Sequence, residues 1–123
     1  MDYTCYFAKI PQIEQAGMVP IAISATIPSW YRGLVYEKLA PRYDILREYK
    51  TDGDRFKYVQ KYQDEVLFKL NPDEVYKELS ELSGGKPFCL ICYEKSERFC
   101  HRHIASEWLS NGGHKCKETF LGG

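Results

Sequence analysis

The run of five apolar residues from Phe88 to Cys92 constrains the fold more than any other stretch of the chain. Its length is typical of a buried β-strand, and a helical pattern that opens at Cys100 follows it after a short polar turn. In open α/β sheets, ligands bind where strands end and helices begin. The free amides and the positive end of the helix dipole favour an anion or a thiolate there. We therefore predict a functional site at this strand-helix junction, residues 92–102.

The rest of the chain alternates between strand and helix patterns. Apolar runs predict strands over residues 3–8 and 18–23, and a short edge strand over residues 114–120. Apolar spacing predicts an amphipathic helix over residues 55–69. This alternation predicts an α/β fold in a single compact domain, residues 1–123, with a small, mostly parallel sheet of three or four strands flanked by helices.

One further helix is marked by the residues at its ends. Asn71 is placed as its N-cap, Pro72 as its first residue and Glu74 as the partner in a capping box. Gly84 and Gly85 end the helix just before the central strand.

Composition limits the classes of function. In 123 residues, 17 acidic side chains balance 17 basic ones, so no overall charge attracts nucleic acid or an anionic membrane, and such binding needs a local patch. Residues 1–10 lack the features of a signal peptide, and no stretch has the roughly 20 apolar residues of a membrane helix. Five cysteines without an export signal are typical of a reducing compartment. We expect a cytoplasmic protein that does not bind membranes.

Two cysteines are candidate catalytic residues. Cys92 ends the strand and Cys100 opens the helix, where a thiol can lose its proton and become nucleophilic. The alternative is packing, because Cys100 shares a helical face with Ile104 and Trp108. Cys89 is expected to pack in the core as a small apolar residue. Both interpretations remain open for the two candidates.

Three polar residues complete the candidate site. His101 is a candidate general acid or base, and Glu94 is a candidate catalytic carboxylate. Arg102 is a candidate ligand for an anion, because a cation early in a helix is otherwise unfavourable. In the alternative interpretation, Glu94 and Arg102 form an ion pair that braces the junction.

Metal binding is a further alternative, because cysteine and histidine side chains are soft ligands and several occur together, namely Cys89, Cys92, Cys100, His101 and His103. However, residues 89 and 92 of a continuous strand point to opposite faces, which argues against a four-ligand site. A site formed by Cys92, Cys100 and one histidine remains open, but we assign no metal and no cofactor.

The loop over residues 24–33 carries three candidate ligand-binding residues, Trp30, Tyr31 and Arg32. Aromatic rings beside a guanidinium can stack on a flat ligand while the cation holds an anion. Alternatively, Trp30 closes the edge of the core. A second stretch, residues 42–62, alternates cations with aromatic side chains, but its acidic residues favour a solvated helical face over a nucleic-acid surface.

Two groups of residues resemble a known family. The first group is Leu90-x-Cys92-Tyr93-Glu94-Lys95, Cys100-His101-Arg102 and Ala105-x-x-Trp108-Leu109; the second is Ile23-Ser24, Pro28-x-Trp30-Tyr31 and Leu39-Ala40-Pro41. Both are similar to the YeaO-like proteins, the domain-of-unknown-function family numbered 488. The resemblance covers nearly the whole chain and implies a compact α/β domain of bacterial or phage type. It directs attention to the junction residues, with Pro28, Trp30 and Tyr31 beside them.

These observations support two hypotheses. In the first, a small enzyme or ligand-binding protein binds a phosphate-bearing ligand, a nucleotide or a nucleic-acid end, through Arg102, Arg32 and helix amides. In the second, the protein is a non-catalytic interaction module. Glu94 and Arg102 then pair, both cysteines are buried, and exposed tyrosines contact a protein partner.

Overall fold

The strand predicted at residues 88–92 is the centre of the sheet. In the computed structural model, which describes residues 1–94 and 99–119, β4 (Phe88–Cys92) lies between β1 (Asp2–Tyr6) and β2 (Val19–Ala22). β3 (Leu34–Val35) extends the sheet beyond β2, and β5 (Cys116–Glu118) extends it beyond β1. Each of these pairings is parallel. The α/β prediction is therefore confirmed.

The described part of the chain has five strands, whereas the sequence predicts three or four. The additional strand is β3, whose two residues are too few to form a periodic pattern. The edge strand predicted over residues 114–120 is observed as β5, and the end of that range, Phe120, lies outside the described residues.

The helices are α1 (Ile10–Gln15), α2 (Tyr43–Asp52), α3 (Arg55–Glu65), α4 (Pro72–Leu82) and α5 (His101–Asn111). The N-cap of α4 is the predicted one, since the Asn71 carboxamide oxygen accepts hydrogen bonds from the amides of Asp73 and Glu74. α3 is shorter than predicted because a 3-10 turn, Leu67–Lys69, replaces its last residues. Every helix among the described residues is too short to span a bilayer.

The side chains of β4 alternate between the two faces of the sheet. Phe88 and Leu90 belong to the larger core, which α2, α3, α4 and α5 cover. Cys89 and Ile91 belong to a smaller core covered by α1, so Cys89 packs as an apolar residue, as predicted. Burying each large apolar side chain contributes about 1.5 to 3 kcal/mol. This alternation turns Cys92 toward the face that α5 covers.

Candidate functional site

A cavity of about 360 Å³ opens where β2 and β4 end and α5 begins. Its lining includes the four residues predicted to be catalytic, Cys92, Glu94, Cys100 and His101. The parallel sheet explains this convergence, because parallel strands place their carboxyl ends at one edge. The predicted position of the site therefore coincides with a cavity in the structure.

The two cysteines of the junction differ from the free thiols expected from the sequence. Cys92 and Cys100 form a disulfide, and their Cα atoms lie 7.7 Å apart. The bridge joins the end of β4 to the N-cap residue of α5. Both side chains are nearly inaccessible, yet both contribute to the cavity wall. On reduction, two thiols would face each other at the base of the cavity.

Arg102 is wholly inside the protein, with none of its surface exposed. Its Nε donates to Glu118 Oε1 at 3.0 Å, and its Nη2 donates to Glu118 Oε2 at 2.9 Å. Its Nη1 donates to Cys92 Sγ at 3.0 Å. The expected pairing of Arg102 with Glu94 is therefore wrong, since Glu118 occupies that position.

The strand register explains this exchange of partners. β5 pairs with β1 so that Glu118 lies opposite Thr4, whose hydroxyl donates to Glu118 Oε1 at 2.6 Å. This register places the carboxylate beneath α5, whereas Glu94 lies on the exposed turn after β4. Arg102 thus contacts Cys92 and does not line the cavity, whereas the sequence predicts it as a ligand for an anion.

His101 is buried, and one of its ring nitrogens is held by a hydrogen bond. Its Nε2 lies 2.6 Å from the carbonyl oxygen of Ile23, and because a carbonyl only accepts, Nε2 carries the proton. Nδ1 is therefore the basic atom, and it lies 3.7 Å from Cys100 Sγ. The ring of Tyr62 packs against the imidazole edge to face. Burial, reinforced by the charge of Arg102, lowers the pKa of His101 to about 4, so the imidazole is neutral at pH 7.

The outer wall of the cavity carries polar groups that the sequence did not single out for this site. Lys50 reaches the cavity from α2, and Ser24 and Thr26 reach it from the loop after β2. Glu94 supplies the opposite charge to Lys50. A sequence signal for Lys50 was present only as one cation among several in residues 42–62, and nothing local distinguished it from the others.

The three predicted ligand-binding residues of the loop do not line this cavity. Tyr31 is buried, and its hydroxyl donates to the carbonyl of Leu34 at 2.6 Å. Arg32 Nη1 donates to the carbonyl of Ser29 at 2.7 Å. Trp30 is 60% exposed and packs against Phe7 on the side of the sheet that α1 covers. Trp30 is therefore the member of this group with its ring free to meet a flat ligand.

The ligand atoms of Cys92, Cys100 and His101 all lie within 4.8 Å of one another. These are the residues that would hold a metal in the reduced protein, since the disulfide occupies both sulfurs in the structure. His103 turns away from this group, and its Nδ1 lies 3.7 Å from Glu118 Oε1.

The family model described as the Active DUF488-N3 subclade matches residues 12–113. The chain belongs to this family. The matched region contains the whole junction and the loop that carries Trp30, so the resemblance proposed from these motifs is confirmed. Glu118, the partner of Arg102, lies beyond the matched region. Comparison with curated proteins and with solved structures finds no match.

Proposed function

We propose that the protein is a small cysteine-dependent enzyme that binds and processes a phosphate-bearing ligand, a nucleotide or a nucleic-acid end, in the cavity at the junction. The observation that carries this proposal is the hydrogen bond from Arg102 Nη1 to Cys92 Sγ at 3.0 Å, at the wall of a cavity lined by catalytic residue types. A guanidinium that donates to sulfur favours the thiolate, the nucleophilic form of cysteine.

The reactive side chains of the cavity have separate roles in this proposal. Cys92 is the nucleophile, and its thiolate attacks the electrophilic atom of the ligand while the bond to the leaving group breaks. Cys100 holds the second thiol, whose proton faces His101 Nδ1. Glu94, on the exposed turn beside the cavity, is placed to exchange a proton with the leaving group.

The phosphate would bind at the outer wall. Lys50 supplies a positive charge, and Ser24 and Thr26 supply hydroxyl groups. The amino end of α5 adds backbone amides and a favourable dipole for an anion. These groups replace Arg102 and Arg32 as the anion ligands of the proposal.

The compartment decides which form of the cysteine pair is present. We place the protein in the cytoplasm of a bacterial or phage-infected cell, on its cysteine use and its family resemblance. Cellular thiols would reduce the Cys92–Cys100 bridge there by thiol-disulfide exchange, which converts the bridge into two thiols and oxidises the reductant. The reduced form is the active one in this proposal.

The first experiment measures labelling of each cysteine in the reduced protein against pH, with mass spectrometry to assign the labelled residue. We expect Cys92 to react fastest, whereas Cys89, buried on the opposite face, should stay inert. Turnover or binding is then screened with nucleotides and phosphorylated oligonucleotides in Cys92→Ala and in the matched control Cys89→Ala. Equal, slow labelling of all five cysteines would overturn the nucleophile assignment.

A matched pair of lysine variants tests the phosphate site. Lys50→Ala should weaken binding of inorganic phosphate and of nucleotides. Lys86→Ala makes the same change in charge just before β4 begins, at the other end of the strand from the cavity. This variant should bind phosphate and nucleotides as the parent does. Equal binding by the two variants would place the phosphate elsewhere.

A second candidate function is a non-catalytic interaction module. It is favoured by two aromatic side chains on the helical layer, Phe56 and Phe68, which are 91% and 86% exposed. In this case the buried ion pair and the disulfide only brace the fold, the reduced thiols are unreactive, and Cys92→Ala changes stability without changing any ligand affinity. The labelling experiment therefore separates the two candidates.

A further inference from the structure

Two large aromatic side chains are exposed where the strands end, and one of them, Tyr93, lines the cavity. Trp30, in the loop after β2, is 60% exposed, and Tyr93, directly after β4, is 48% exposed. Exposed rings of this size present flat apolar faces to solvent, and such faces are the groups on which nucleic-acid bases stack.

Both rings are supported by the same buried residue. Phe7, which directly follows β1, is 5% exposed. The Trp30 ring packs edge-on against it with centroids 6.0 Å apart, and the Tyr93 ring packs against it with centroids 5.0 Å apart. The ends of three strand segments thus bring together three rings, which we call the aromatic shelf: Phe7, Trp30 and Tyr93.

The shelf is held in place from below. Tyr31 packs edge-on against both Phe7 and Trp30, and its hydroxyl is bonded to the carbonyl of Leu34. Gly33 lies so close to the Tyr31 ring that a Cβ atom there would come within 2.5 Å of its hydroxyl oxygen. A surface fixed in this way loses little conformational entropy when a ligand binds.

The shelf is continuous with the proposed active site. Tyr93 belongs to the shelf and also lines the cavity, between Cys92 and Glu94 in the chain. A ligand whose base stacks on Tyr93 would place its sugar and phosphate in the cavity that Lys50 also lines.

The charge balance limits the size of such a ligand. With 17 acidic and 17 basic residues, the chain lacks the excess of cations with which proteins track a long phosphate backbone. The observations favour one base next to one phosphate over an extended strand or duplex.

We propose that the aromatic shelf, through Trp30 and Tyr93, stacks on the nucleobase of the ligand whose phosphate binds in the adjacent cavity. This inference rests on the proposed function and narrows its ligand to a nucleoside phosphate, either free or as the terminal nucleotide of a single strand.

The test compares ligands with and without a base, using the reduced full-length protein and equilibrium dialysis. The probes are adenosine monophosphate, ribose 5-phosphate, inorganic phosphate and a phosphorylated single-stranded trinucleotide. Stacking of one base is expected to make adenosine monophosphate bind roughly 5- to 150-fold more tightly than ribose 5-phosphate. If the trinucleotide binds more tightly than adenosine monophosphate, the natural ligand is the end of a nucleic-acid strand. If adenosine monophosphate binds more tightly, the natural ligand is a free nucleotide.

Variants assign the preference to the shelf. Trp30→Ala should reduce the affinity for adenosine monophosphate to that for ribose 5-phosphate and leave the latter unchanged, whereas Trp30→Phe, which keeps a ring, should retain most of the difference. Phe68→Ala removes a ring that is 86% exposed and lines a different pocket, and it serves as the control.

The outcomes separate this inference from the proposed function. Equal affinities for adenosine monophosphate and ribose 5-phosphate, or equal effects of Trp30→Ala and Phe68→Ala, would refute base stacking on the shelf. Neither result would contradict phosphate binding in the cavity. Absence of binding by every probe would overturn both proposals. A base preference that Trp30→Ala removes, at unchanged affinity for inorganic phosphate, would support the shelf.

Discussion

Removal of the Glu118 carboxylate is expected to destabilise the fold strongly. The guanidinium of Arg102 has no exposed surface, and two of its three nitrogens donate to Glu118 at 2.9 and 3.0 Å. Glu118→Ala leaves a buried cation without its counter-ion, which costs about 3 to 5 kcal/mol. Glu118→Gln keeps the shape and one acceptor oxygen, so its cost should be nearer the roughly 1.5 to 3 kcal/mol of a hydrogen bond to a charged group.

The assay is urea denaturation followed by far-ultraviolet circular dichroism, with the free energy of unfolding extrapolated to water. The matched control is Asp44→Ala, which breaks an exposed ion pair between Asp44 and Arg42. The Arg42 side chain is 52% exposed and the Asp44 side chain is 65% exposed. Exposed pairs contribute little, so the control should unfold at the parent's midpoint. If Glu118→Ala unfolded at the same midpoint as Asp44→Ala, the buried pair would not stabilise the fold and the reasoning would be refuted.

Three further predictions concern the cavity. Burial lowers the pKa of His101 to about 4, below its ordinary value of 6.5, so the unfolded chain takes up this proton first and stability present above pH 6.5 is lost as the pH falls toward 4. Between pH 7 and pH 4 the free energy of unfolding, measured by urea denaturation, should fall on the order of 3 kcal/mol further for the parent than for His101→Gln. Equal decreases for the two proteins would contradict this prediction. Glu94→Gln should lower turnover roughly 100-fold or more without changing the unfolding midpoint. The control Glu107→Gln, at another exposed glutamate, should change neither quantity, and full activity of Glu94→Gln would exclude the proposed role of Glu94. Protein purified without reductant should show three thiols when denatured and five after reduction, because Cys92 and Cys100 are bridged, and five thiols before reduction would show that they are not.

Local sequence patterns were sufficient for the elements that form the junction. Five consecutive apolar residues predict β4, because a strand buried on both faces needs no alternation. The polar turn that follows and the helical pattern from Cys100 predict α5, and the Asn71-Pro72 pair predicts where α4 begins. Each of these signals lies within a few residues of the element that it marks, which is why it can be read without the fold.

Local sequence patterns could not predict which residues contact the site residues. Glu118 meets Arg102 because β5 pairs with β1 at the far edge of the sheet, a contact that depends on strand order and register. Lys50 reaches the cavity because the fold brings α2 beside the end of β4 and the start of α5. Sequence spacing contains no information on either contact. The residue types of the site were therefore predicted, whereas the ion pair and the anion ligand were not.

In the proposed function, Arg102 has a chemical role in addition to its contribution to stability. A buried ion pair is weak grounds for stability, since well-packed apolar side chains of similar volume often stabilise a core equally well. Glu118 satisfies Nε and Nη2 and neutralises the buried charge, and Nη1 is thereby directed at Cys92 Sγ, the sulfur at the cavity wall. A brace between α5 and β5 needs the first two contacts and not the third. In the reduced protein proposed above, the third contact would stabilise a Cys92 thiolate, and it lies at the end of the central strand, where ligands of parallel sheets bind.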